Sequence, residues 1–164
     1  MPQKTTDHSR SKGDSAWGFI PVGSISARGW WAEQLQTDLF GFAGRLDELC
    51  SEVGSNVFAS GRVVGGHRRH WWNGESEGKW IDGLTRMAHV SHNPVARARV
   101  AAYVERVLEI GECDGYVGIY TDKWRASGGP RAGEPWTQSM ILNTLLTHYE
   151  ATGDDRVLAF AKTA

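Results

Sequence analysis

The chain has almost no cysteine. Cys50 and Cys113 are the only two in 164 residues, and no C-x-x-C pair occurs, so neither a disulfide scaffold nor a zinc knuckle is expected. Both read as buried free thiols of a reducing compartment. An excess of charge is also missing. Eighteen Lys plus Arg face nineteen Asp plus Glu, for a formal net charge of −1, which leaves no broad electrostatic footprint for a nucleic acid or an anionic membrane. Neither is expected as a partner. No apolar run approaches the ~18 residues needed to span a bilayer, and the polar stretch Met1 to Ala16 lacks the apolar centre of a secretory signal. A cytoplasmic location is the expectation, with 1–18 a disordered tail. At 40% hydrophobic and 23% charged residues, the chain as a whole has the composition of a globular protein.

What the chain does have is eight Trp and twenty Gly. Tryptophan offers a large flat apolar face with one N–H donor, the equipment for stacking on a ligand ring beside glycine-rich loops. Core packing is the competing explanation for each of them.

Helical periodicity organises most of the sequence. Trp31, Leu35, Leu39, Phe42, Leu46, Leu49 and Val53 recur in steps of three and four, one stripe of a single first helix, with Gly41 and Gly44 inside it. Val57 to Ser76 reads as a long loop containing His67, His70, Trp71 and Trp72, of the length that compact domains reserve for function. A second helix is expected from Glu77 to Ser91. Asn93-Pro94 ends it and caps a third, which runs to Gly111. Glu112 to Gly133 is irregular, with a short strand suggested by the alternation Tyr116, Val117, Gly118, Ile119, Tyr120. A fourth helix runs from Pro135 to a terminating Gly153, and Asp154 caps a fifth over Val157 to Ala161.

The helices pair as two hairpins, Glu77 to Leu108 and Glu134 to Ala164, with Trp80 and Trp136 56 positions apart. Stacked hairpins bury their stripes only against neighbouring hairpins. A closed ring of six at this spacing would need about 336 residues, so the chain reads as roughly the first half of one.

Several segments together carry a family resemblance: Gly23-Ser24-Ile25, Gly29-Trp30-Trp31-Ala32-Glu33-Gln34-Leu35, Glu77-Gly78-Lys79-Trp80-Ile81-Asp82-Gly83-Leu84, Asp114-Gly115-Tyr116, Glu134-Pro135-Trp136 and Tyr149-Glu150-Ala151-Thr152-Gly153-Asp154. In order and approximate spacing they resemble the N-terminal half of glycoside hydrolase family 127, which includes β-L-arabinofuranosidases. The resemblance implies an all-α fold of helical hairpins, an (α/α)6 toroid of which this chain is an incomplete N-terminal portion, over residues 19–164. It also implies a cysteine nucleophile held near zinc and a carboxylate acid/base, all beyond Ala164; no cofactor is expected in this segment. Where many members carry His-Glu-Leu-Tyr and a later second His, this chain has Gly133-Glu134-Pro135-Trp136 and Met140.

Glycoside hydrolysis needs carboxyl groups across a sugar, together with aromatic platforms and hydrogen-bonding groups. Acids stand beside aromatics at three junctions: Trp72, Glu75, Glu77 and Trp80; Asp114 and Tyr116; Glu134 and Trp136. These are the candidate substrate-binding residues, and a carbohydrate is the expected partner. Ordinary capping also explains acids at helix N-termini. His67-x-x-His70 supplies two imidazoles, short of a metal ligand set, and Gly61 to Gly66 lacks the Lys-Ser/Thr of a phosphate loop. His89 and His92 read as partners of a helix C-terminus, and His148 as a helix-flank residue. Two alternatives stay open: a non-catalytic carbohydrate-binding module, and a sugar epimerase or lyase on the same fold.

Overall fold

The computed structural model describes residues 18–59, 71–111, 115–120 and 133–164, and these are all-α. The elements are α1 (Trp30–Phe40), a 3₁₀ turn (Ala43–Arg45), α2 (Leu46–Leu49), α3 (Trp71–Val90), α4 (Pro94–Ile110), α5 (Glu134–Thr152) and α6 (Asp155–Ala161). Among the described residues there is no strand; in 116–120, where one was expected, only an isolated bridge at Tyr120 occurs. None of the helices described is long and apolar enough to cross a membrane.

Local chemistry sets the later helix ends where the sequence places them. Asn93 Oδ1 accepts from the Ala96 N–H at 3.0 Å, with Pro94 in the first turn of α4. Asp154 accepts from the Arg156 N–H to start α6. Gly153 closes α5 in the left-handed conformation, its N–H bonded to the Tyr149 carbonyl at 2.7 Å.

Two expectations are corrected. The single first helix is broken. A Cβ at Gly44 would lie 1.7 Å from the Leu39 carbonyl oxygen, so the chain turns there in a way only glycine permits. The stripe then leaves one face, and Trp31, Phe42 and Leu49 are exposed. Conversely, α3 begins at Trp71, several residues before Glu77. Its early glycines sit against a neighbouring helix, so close contact replaces the apolar period that the sequence lacks there.

The hairpins lie side by side in matching direction. Along α3 and α5, Gly74 lies against Thr137 and Gly78 against Met140. Thr147 Oγ1 donates to Asp82 Oδ1 at 2.7 Å, and the rings of His89 and His148 meet edge-on at 5.9 Å. Residue numbers rise together, so α3 and α5 are parallel. α4 returns antiparallel to α3, Tyr103 bonding Glu77 and Arg97 bonding the His89 carbonyl. α6 follows the direction of α4: Arg156 pairs with Glu105, and Gly111 touches Phe160. Trp80 and Trp136 are therefore not equivalent positions, the first lying midway along its helix and the second in its opening turn. The core between the layers is Ile81, Leu84 and Ala88 of α3, Val100, Val104 and Val107 of α4, Ile141 and Leu145 of α5 and Val157 of α6. Each larger side chain contributes about 1.5–3 kcal/mol by leaving water.

Candidate active-site rim

Because α3 and α5 run parallel, their N-termini share one end of the fold. Trp72 and Glu75 lie in the first turns of α3, Glu134 and Trp136 in the first turn of α5. Lys79 links the two hairpins: its ammonium pairs with Glu75 and stands over the Trp136 ring, 5.8 Å from the centroid. Trp72 is 53% exposed and Trp136 47%, so both faces of this rim carry tryptophan open to solvent. Glu134 is buried at the start of α5, where its charge meets the positive end of the helix dipole. Its charge reaches Tyr120, whose hydroxyl is held protonated first by burial and then by this neighbour.

The remaining candidates lie elsewhere. Glu77 turns into the core rather than toward the rim and is fully buried. Its carboxylate accepts from the Val57 N–H at 2.7 Å and the Tyr103 hydroxyl at 2.5 Å, pinning the segment after α2 to the α3–α4 hairpin. Burial pushes its pKa up to about 7 against these hydrogen bonds. Tyr103, buried beside that carboxylate, is raised well above the ordinary phenol. Trp80 faces α4 and the 3₁₀ turn: its indole donates to the Ala43 carbonyl at 2.8 Å, and the Arg99 guanidinium covers its ring. It lines a separate cleft of about 380 Å³ with Asp47, Arg99 and Tyr103. Tyr116 is buried and lines a narrow pocket together with Val57, Phe58 and Val107. Asp114, His67, His70 and Cys113 lie outside the described residues. Cys50 is half-buried rather than buried, a free thiol whose Sγ donates to Glu52 Oε2 at 3.2 Å.

Lys79 and Tyr120 were not singled out by the sequence. Lys79 is detectable in principle, four residues after Glu75 on one helix; the Tyr120–Glu134 approach is a long-range contact with no local signal. His89 lies in the last turn of α3, as its place in the sequence suggests; beyond that reading, it and His148 are buried and meet edge-on.

Adjacent helical hairpins whose first helices run parallel are the all-α architecture of a toroid-type glycosidase domain. The chain belongs to the GH127 family: a family model described as beta-L-arabinofuranosidase, GH127 catalytic domain, matches residues 19–164. No curated protein and no solved structure matches it. Among the described residues no three His, Cys, Asp or Glu side chains gather as a metal ligand set.

Proposed function

We propose that residues 19–164 form a substrate-binding wall of a glycoside hydrolase, with a carbohydrate held at the rim where α3 and α5 begin. Trp72 and Trp136 serve as platforms for sugar rings. Glu75 and Glu134 accept hydrogen bonds from ring hydroxyls, and the protonated Tyr120 hydroxyl donates one. Lys79 holds the Trp136 ring and the Glu75 carboxylate in one geometry, and this bridge between two hairpins is the observation that carries the reading. The nucleophile and acid/base that cleave the glycosidic bond come from sequence after residue 164, in keeping with the family resemblance. On this reading the 164-residue chain binds but does not turn over.

Titration of the chain with an arabino-oligosaccharide, followed by tryptophan fluorescence, is expected to saturate while an assay for released reducing sugar stays at background. Release of reducing sugar would overturn the assignment of catalysis to later sequence. An unsaturable fluorescence change would overturn the wall itself.

A further inference from the structure

At the end of the fold opposite the rim, the C-termini of α3 and α5 and the first turns of α4 enclose a cleft of about 520 Å³. Its lining is small and apolar (Val22, Gly23, Ala98, Ala101 and Ala151) except for Thr152, His89, His148 and Arg97. Three polar atoms on that lining are buried without a hydrogen-bond partner among the described residues: His89 Nε2, His148 Nδ1 and Arg97 Nε. Both histidines are more than nine-tenths buried, with 6% and 7% of their surface exposed. Such groups are costly to leave unpaired, and native interiors hold few of them. Arg97 is fixed in place: its Nη2 donates to the His89 carbonyl at 3.1 Å and meets His92 Nδ1 at 2.6 Å. Its remaining buried Nε–H is a permanent donor on a permanent cation.

We infer that this cleft is a binding site for a small oxyanion, a phosphate or carboxylate group held by Arg97 Nε and by imidazole N–H donors of His89 and His148. A metal ion is disfavoured by the adjacent guanidinium charge, and a sugar by the lack of an aromatic platform on the lining. No carboxylate lines the cleft to compete. The charged groups around His148 are Asp154, Glu105 and Arg156; around His89 they are Arg97, His148 and His92. Arg156 already pairs with both Asp154 and Glu105, so Arg97 is the guanidinium on the cleft lining. Burial holds both imidazoles below their ordinary pKa, His89 down to about 4, and a bound anion would raise them again.

The test is a titration of the 164-residue chain with inorganic phosphate at constant ionic strength, following the imidazole NMR signals of His89 and His148. Saturable shifts of both, with titration of the rings moved to higher pH, are expected, and Arg97→Gln should weaken binding by about tenfold or more. His148→Asn keeps the Arg97 contacts to the His89 carbonyl and His92, and it should also weaken binding if Arg97→Gln fails to fold. Acetate reproducing the shifts extends the site to carboxylates; acetate without effect confines it to phosphate. Shifts linear in phosphate and matched by chloride, unchanged affinity in a folded variant, or tighter binding of Zn²⁺ than of phosphate would overturn the inference.

Discussion

Glu77 and His89 show how burial, the leading cause in each, sets opposing pH responses in one small fold. The Glu77 carboxyl keeps its proton to about pH 7, whereas the exposed group loses it near 4.5. The folded state therefore holds the extra proton between those values, and stability falls as pH rises from 4.5 to 7. His89 runs the other way. Its folded value is about 4 against an ordinary 6.5, so the unfolded chain takes up the extra proton and stability falls as pH drops from 6.5 to 4. The two effects oppose each other across the shared window. His148, also held low by burial, adds to the His89 side, so thermal melting of the natural chain should fall toward acid between pH 6.5 and 4.5, less steeply than the two histidines alone would give. Glu77→Gln should melt more steeply lower toward acid than the natural chain, and His89→Gln should flatten the profile, since His148 alone then opposes Glu77. Profiles parallel to the natural one in both variants would show that these groups are not desolvated as described. Sequence order marked Glu77 for its place beside Trp72 and Trp80, but whether it turned to the rim or the core depended on Tyr103, 26 positions away, which no local pattern reveals.

At the scale of elements, two glycines of α3 separate conformational cost from packing need. A Cβ at Gly78 would lie 2.5 Å from the Met140 Cβ, while one at Gly83 would meet nothing within 4 Å. Gly78→Ala should therefore force α3 away from α5 and cost about 1–3 kcal/mol. Gly83→Ala, the same change in the same helix, should stabilise by about 0.5–1 kcal/mol through helix propensity. Denaturant unfolding reads both; equal signs would mean that α3 and α5 do not pack through Gly78. The helices whose sequence combines an apolar period with a cap were legible: α4 with Asn93 and Pro94, α5 with Gly153, α6 with Asp154. The start of α3 was not, because Trp71-Trp72-Asn73-Gly74 shows no period and is held by contact with α5. The break after α1 was not legible either, since periodicity continued through Gly41 and Gly44 while the backbone turned.

For the whole molecule, the pairing of hairpins was legible from their repetition, but the register was not. The Trp80–Trp136 spacing suggested equivalence, whereas Gly74 is what lies against Thr137. Among the described residues, the N-terminal layer carries Trp30, Phe40, Phe42 and Leu49 well exposed. The native chain should bind an apolar fluorescent dye, and Phe40→Ser with Phe42→Ser should reduce that signal without lowering the melting temperature. No dye binding by the natural chain would show this layer to be covered in solution. The central claim is that the shared end of α3 and α5 holds a carbohydrate, and it is tested most directly by the affinity of Trp136→Ala for an arabino-oligosaccharide, measured calorimetrically per folded molecule. Removal of the platform should weaken binding about tenfold while leaving the melting temperature within a few degrees; an affinity equal to that of the natural chain would contradict the claim.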